Sequence, residues 1–203
     1  MNIIDEISRA HRRVSEKGDT KTVVLSRHYD SDVEDVWDAL TTAERIGRWL
    51  MPVSGDLRLG GKYQLEGNAG GEVLRCEPPA LLAVTWVFGD APASEVEVTL
   101  AADGDGTRFE LVHTAVVPDE FWSRYGPGAV GSGWDLALLG LSMHLSGGVI
   151  PDHDRLHETE EGRAAITASS RAWGEAHLAS GADPAQVAAA TAATTAFYAP
   201  EPE

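Results

Sequence analysis

The chain of 203 residues contains a single cysteine, Cys76. One cysteine cannot form a disulfide within the chain, and this fits a reducing compartment. The chain also lacks a run of about 18 apolar residues, which a membrane-spanning helix would need. Its residues 1–20 carry charges throughout and lack the apolar block of a secretory signal. We therefore expect a cytoplasmic protein that is not inserted in a membrane.

Positive charge is scarce. The chain has 16 Lys and Arg against 32 Asp and Glu, a formal net charge of -16. Nucleic acids and anionic membrane surfaces are bound through Lys and Arg, so the composition argues against both as partners. The only basic cluster is short, from Arg9 to Arg13, and acidic residues flank it. The acidic residues are scattered, which indicates a role in solubility.

Complete catalytic or cofactor motifs are also missing. There is no P-loop, no dinucleotide fingerprint and no nucleophile elbow, so we expect no cofactor and assign no catalytic residue. His153 and His157 stand four residues apart, a spacing that can hold a metal on a helix, yet no third ligand follows at a known spacing. We expect no metal site. Cys76 is interpreted as a small buried apolar side chain.

The first part of the chain predicts three helices and a strand. Ile3, Ile7, Ala10 and Val14 share one helical face, which indicates an N-terminal helix over residues 3–14. A β-rich run predicts a strand over residues 21–29. A capping box formed by Ser31 and Glu34 indicates a helix from about residue 31 to 40, and a short helix follows over residues 43–49.

After Pro52, short apolar runs alternate with turn residues, a pattern typical of antiparallel strands joined by hairpins. We predict strands at 54–59, 62–67, 71–77, 81–88, 94–101 and 107–114. Apolar residues alternate along the last three strands, so one face of the sheet should be buried. Residues 115–131 are interpreted as a loop with the properties of a mobile lid, and an apolar helix is predicted over residues 134–145.

The C-terminal segment is Ala-rich but punctuated. Residues 154–179 look helical, and Asp183–Pro184 is the signature of a helix start, with an N-cap followed by proline. Large apolar residues such as Trp173 and Phe197 would be costly to leave in water. We therefore expect helices that pack on the domain or on a second subunit, and favour a homodimer. The expected organisation is a helical arm (1–18), a main domain (19–148) and a helical extension (149–203).

The order of one strand, two helices, six strands and a long helix is the helix-grip arrangement. Within it, several short motifs follow one another: Trp49-Leu50-Met51-Pro52, Gly60-Gly61, Gly71-Glu72-Val73-Leu74, Glu77-Pro78-Pro79, Val84-Thr85-Trp86, Gly106-Thr107-Arg108 and Gly133-Trp134. These motifs resemble the START-like superfamily that includes polyketide cyclases. More narrowly, they resemble the branch named after homologues of the activator of a heat-shock chaperone's ATPase. The resemblance covers roughly residues 20–146.

The resemblance implies an α+β fold in which a curved antiparallel sheet of about seven strands wraps around the long helix and leaves a cavity. Such folds serve many functions. We favour binding of a hydrophobic or aromatic small molecule. The alternatives are an aromatase/cyclase-like enzyme with His113 as acid or base, and a chaperone-cofactor-like interaction module. The residues expected to line the cavity are Trp49, Trp86, Phe88, Val98, Leu111, His113, Trp134, Leu138 and Leu141. Plain core packing is the competing interpretation of the apolar members of this set. For His113 the competing interpretation is a buried imidazole that is hydrogen-bonded by a neighbouring backbone group.

Overall fold

The structure, a computed structural model, describes residues 2–148 and 153–200. The helices are α1 (Ile3–Ser8), α2 (Val33–Thr41), α3 (Ala43–Trp49), α4 (Asp119–Tyr125), α5 (Gly128–Leu145), α6 (Glu160–Ala179) and α7 (Pro184–Tyr198), with a 3-10 helix at His153–Glu158. The strands are β1 (His11–Lys17), β2 (Thr20–Tyr29), β3 (Val53–Gly55), β4 (Lys62–Leu65), β5 (Gly70–Glu77), β6 (Leu81–Trp86), β7 (Ser94–Asp103) and β8 (Gly106–Val116).

All eight strands form one antiparallel sheet in the order β1-β2-β8-β7-β6-β5-β4-β3. The strands from β3 to β8 are sequential neighbours, because short turns join them into hairpins. Together with the helices, this confirms the predicted α+β helix-grip class, with one strand more than expected. Among the described residues, no helix is both long enough and apolar enough to cross a membrane.

The chain divides into two compact units. Unit 1 contains residues 1–25, 117–139 and 151–203, and unit 2 contains residues 26–116 and 140–150. In unit 1, α6 packs against α1, β1 and α7. In unit 2, α2 packs against β7 and β8, and α3 packs against α2 and β3. The division into three segments expected from the sequence stays a prediction.

The extra strand is β1, which the sequence analysis had merged into a helix over residues 3–14. That prediction is wrong after Ser8, because α1 ends there and β1 begins at His11. Ile3, Ile7 and Ala10 are buried as predicted. Val14 is also buried, although it lies in the strand β1 and not in a helix. The hydrogen bonds of β1 come from β2, the next strand along the chain, across the turn at Gly18 and Asp19. The apolar spacing of residues 3–14 does not report this pairing.

Two other local predictions are corrected. The capping box at Ser31 and Glu34 is not formed, since Asp32 is the N-cap residue of α2 and its side chain makes no capping hydrogen bond. The loop predicted over residues 115–131 is also wrong, because α4 occupies Asp119–Tyr125 and α5 already begins at Gly128; mobility of this segment as a lid stays a prediction. Trp122 of α4 is only 6% exposed. The burial of the Trp122 indole stabilises the helix α4. The glycines at 126 and 128 had indicated a loop in this segment.

The C-terminal segment is ordered helix, as predicted. Asp183 caps α7 by accepting hydrogen bonds from the backbone amides of Ala185 and Gln186, and Pro184 occupies the first turn. Trp173 of α6 is fully buried. The segment around His157 is a 3-10 helix rather than the α-helix expected there, and the side chain of His153 lies outside the described residues. A homodimer built from these helices stays a prediction.

Candidate ligand-binding site

The buried face of the sheet in unit 2 comes from alternate residues of neighbouring strands. In the β7–β8 register, Val96 faces His113 and Val98 faces Leu111. All four side chains are buried, each less than 10% exposed. Residues that alternate along a strand point to opposite faces of a sheet, so this register confirms the predicted inward face of both strands and places one imidazole among aliphatic side chains.

His113 forms a polar group with Ser94 and Trp86. Its Nε2 lies 2.8 Å from the hydroxyl oxygen of Ser94, and that hydroxyl donates to the backbone carbonyl oxygen of Trp86 at 2.8 Å. Since the hydroxyl proton goes to Trp86, the Ser94 oxygen accepts from His113, and Nε2 carries the proton of the neutral imidazole. This arrangement does not activate Ser94 as a nucleophile, because a nucleophilic serine would donate its proton to the histidine.

Burial keeps this imidazole neutral. Removal from water disfavours the charged form and lowers the pKa of His113 from 6.5 to about 4. The indole of Trp86 approaches the imidazole edge-on, with 6.4 Å between ring centroids. At neutral pH, His113 is therefore an uncharged hydrogen-bonding group next to an aromatic surface.

This pKa predicts an acid-dependent loss of stability. Above pH 6.5 His113 is neutral in the folded and unfolded states and contributes nothing to pH dependence. As the pH falls from 6.5 towards 4, only the unfolded state gains the proton, so the free energy of unfolding should fall by about 3 kcal/mol through this residue. Urea unfolding of the His113→Gln variant should lack this decrease. The matched variant His28→Gln removes an exposed histidine, and its free energy of unfolding should still show the decrease. Identical pH profiles for the two variants would contradict the assignment to His113.

Beside His113, unit 2 carries a group of large apolar side chains that are only partly buried. They pack against the buried cluster of Ile46, Tyr63 and Leu65. We call them the Trp86 patch; its members are Leu50, Met51, Val53, Leu57, Val84 and Trp86. Contiguous apolar side chains that stay accessible mark binding surfaces more often than isolated ones do.

A buried cation lies on β2 in the same unit. Arg27 is 5% exposed, and its guanidinium carbon lies 4.7 Å from the centroid of the Tyr29 ring. Its Nη2 donates to the hydroxyl of Ser142 on α5 at 3.4 Å. Arg27, Ser142 and Ser94 were not predicted as site residues. Strand parity could have indicated two of them, because Arg27 shares a face of β2 with Tyr29, and Ser94 shares a face of β7 with Val96.

The structure places seven of the nine predicted site residues in unit 2 and two, Trp134 and Leu138, in unit 1. Val98, Leu111, His113 and Leu141 are buried, and Trp86 is half-buried. Trp49 is buried, and its indole nitrogen donates to the carbonyl oxygen of Ala39 at 2.9 Å, which fits a core role. Phe88 lies beyond the end of β6 and is 57% exposed, so the alternation assumed for residues 81–88 stops before it.

The chain resembles proteins of known structure. The crystal structure of CalU16 from Micromonospora echinospora is 34% identical, covers 82% of this chain and 96% of that chain, and has a TM-score of 0.62. The solution structure of CalU16 gives 32% identity, coverage of 84% and 96%, and a TM-score of 0.69. Protein MLL2253 from Mesorhizobium loti is 27% identical, covers 62% and 97%, and has a TM-score of 0.54.

A more distant likeness, of fold alone, is to DynU16, a protein of the dynemicin biosynthetic locus. It is 21% identical, with a TM-score of 0.55 over 64% of this chain and 48% of that chain. No curated protein matches the chain. The family described as "Activator of Hsp90 ATPase homolog 1-like protein" matches residues 30–146. Because that match spans more than half of the 203 residues, the chain belongs to this family.

Proposed function

We propose that unit 2 binds a hydrophobic or aromatic small molecule on the Trp86 patch, beside His113. The observation that carries this proposal is the group of six large apolar side chains that pack on one cluster and remain partly accessible. Ligand sites are mostly apolar with a few polar groups that fix orientation. The Ser94–His113 pair supports the proposal as an uncharged polar group beside the patch. Its two protons are already donated, from Nε2 to Ser94 and from Ser94 to Trp86, so it suits a ligand hydroxyl that donates rather than a carbonyl, which would need a donor.

Binding to the patch should depend on the Trp86 indole. We expect 2-naphthol to bind the protein, and Trp86→Ala to weaken that binding about tenfold or more, because the ring supplies both apolar area and aromatic contact. Calorimetric titration and chemical shifts of the indole N–H groups measure the effect. Trp37→Ala is the matched control, since Trp37 lies on α2 and is not one of the side chains that form the patch.

Two results would contradict the proposal. The first is the absence of any binding of naphthols and of fatty acids such as decanoate at concentrations up to their solubility. The second is binding that Trp86→Ala and Trp37→Ala weaken equally, which would move the ligand away from the patch.

Catalysis through His113, as in an aromatase/cyclase, is the second candidate. The uncharged imidazole beside an apolar patch supports it, because general acid–base catalysis needs a titratable group next to the bound substrate. Rates that depend on this group should titrate near the lowered pKa of about 4 rather than near 6.5. A rate that titrates near 6.5, or that survives in His113→Gln, would assign any reaction to another residue.

A further inference from the structure

The two edges of the sheet differ in length. β3 forms one edge and has three residues, whereas β1 forms the other and has seven. Natural proteins commonly shorten edge strands, because an open edge can pair with another chain. At about 3.3 Å per residue, β1 extends for about 23 Å. In the part of the chain that the structure describes, β1 pairs with β2 on one side and with no strand on the other.

The basic residues of β1 lie on two different faces of the strand. Arg12 points into unit 1, where its Nη2 lies 2.8 Å from a carboxylate oxygen of Asp135. Val14, with the same parity, is buried, and Glu16 accepts from Lys21 at 2.7 Å. The roles of these residues are internal to the fold.

The opposite parity of β1 is exposed throughout. Its residues are His11, Arg13, Ser15 and Lys17. We call these four residues the basic edge. It carries two permanent cations and a histidine in a chain whose net charge is -16, so its charge is opposite to that of the rest of the chain. A helix over residues 3–14 would place His11 and Arg13 on different sides and leave Ser15 and Lys17 beyond its end, so the predicted helix does not reveal the basic edge.

We propose that the basic edge binds an extended acidic segment of a partner protein by strand addition to β1. In this mode, main-chain hydrogen bonds supply affinity and alternate side chains supply specificity. Opposite charges directly across a strand pair are favourable, and like charges are unfavourable. An acidic strand therefore complements Lys17, and it can approach Arg13, which is exposed although it also interacts within the chain. The negative charge on other parts of the chain is screened beyond about 8 Å at physiological ionic strength. The charges of the basic edge therefore determine the electrostatic attraction of the peptide.

The competing explanation is that these charges prevent pairing, since lysines on edge strands often do so. A peptide experiment with the full chain separates the two. The probe is a blocked nine-residue peptide in which Glu alternates with Val and Thr, and the readout is the backbone amide shifts of the protein. We expect shifts concentrated in β1, weaker binding at higher salt, and no binding of a matched peptide with Lys in place of Glu.

Backbone pairing is tested by methylating alternate amide nitrogens of the acidic peptide along one edge or the other. Methylation along the edge that pairs with β1 should abolish binding, whereas methylation along the outer edge should preserve it. Equal behaviour of the two methylated peptides would overturn strand addition.

Charge reversal supplies the second test. The double variant Arg13→Glu/Lys17→Glu should bind the acidic peptide about tenfold more weakly or worse, because each change replaces an attraction with a repulsion. Arg108→Glu is the matched control; Arg108 is exposed on β8, which lies between β2 and β7 and is not an edge.

The proposal is overturned if the acidic peptide does not shift the backbone amide signals of β1. It is also overturned if Arg108→Glu weakens peptide binding as much as the double variant does. It is also overturned if vesicles of phosphatidylserine and phosphatidylcholine shift the β1 amides while the peptide does not, because the surface would then recognise a membrane.

Discussion

Replacing Asp135 with alanine is expected to lower the free energy of unfolding by about 3–5 kcal/mol. The carboxylate is 2% exposed and accepts hydrogen bonds from Arg12 at 2.8 Å, from the Ser169 hydroxyl at 2.5 Å and from the Trp173 indole at 3.0 Å. Its removal would leave the Arg12 guanidinium buried without a counterion. The Trp173 indole would lose its acceptor at the same time, which adds a desolvation penalty, whereas the Ser169 hydroxyl can turn to the oxygen of Ser132 at 3.1 Å.

The ion pair itself should contribute far less than the single variant suggests. Burial raises the pKa of Asp135 above its ordinary value, and this outweighs the lowering by Arg12, Ser169 and Trp173. Replacing both charges with apolar residues can therefore be nearly neutral. We expect Arg12→Met/Asp135→Leu to recover much of the stability lost in Asp135→Ala, as measured by urea unfolding.

An exposed pair serves as the control for Asp135. Asp56 pairs with Arg58 at 2.8 Å on the surface, and Asp56→Ala should lower the free energy of unfolding far less than Asp135→Ala does, because water screens the exposed pair. The explanation fails if Asp135→Ala costs no more than Asp56→Ala, or if the double variant is as unstable as the single one.

Replacing Gly131 with alanine is expected to destabilise the protein by about 1–3 kcal/mol, although alanine favours a helix. Gly131 lies in α5, where an added Cβ would meet Cε2 of Trp173 at 2.2 Å. Trp173 is fully buried in unit 1, so its ring can move only if α6 shifts. The overlap should exceed the gain in helix propensity, which is about 1 kcal/mol at most.

Gly47→Ala provides the matched comparison, because Gly47 lies in α3 and an added Cβ would find its nearest atom, in Pro52, at 3.8 Å. This substitution should raise the free energy of unfolding by up to about 1 kcal/mol. Denaturant unfolding measures both effects, and near-ultraviolet circular dichroism reports any displacement of Trp173. A Gly131→Ala protein as stable as the parent would show that α5 and α6 do not constrain one another at this point.

Part of the candidate site could be predicted from local pattern. The period of two along residues 94–101 and 107–114 placed Val98, Leu111 and His113 on the buried face, and the β7–β8 register confirms it. The same pattern failed at Phe88, because β6 ends at Trp86, the last bridge is between Val87 and Gly70, and alternation has no meaning beyond the last paired residue. The hydrogen bonds of His113 were beyond prediction, since its partner Ser94 comes from another strand.

The sequence by itself determined the α+β class, the hairpin strands from residue 62 onward and the helix start at Asp183, because each depends on neighbouring residues, turn chemistry and a local period. The strand predicted at 54–59 is wrong after Gly55, where β3 ends. The tertiary structure alone decided that residues 11–17 form an edge strand rather than the end of a helix. It also decided that Arg12 is neutralised by Asp135, 123 positions away in the sequence. Strand pairing and buried ion pairs gain their free energy from partners outside the segment itself, close by for β1 and β2 and far away for Arg12 and Asp135. The segments that depend on them therefore carry no complete signal of their own.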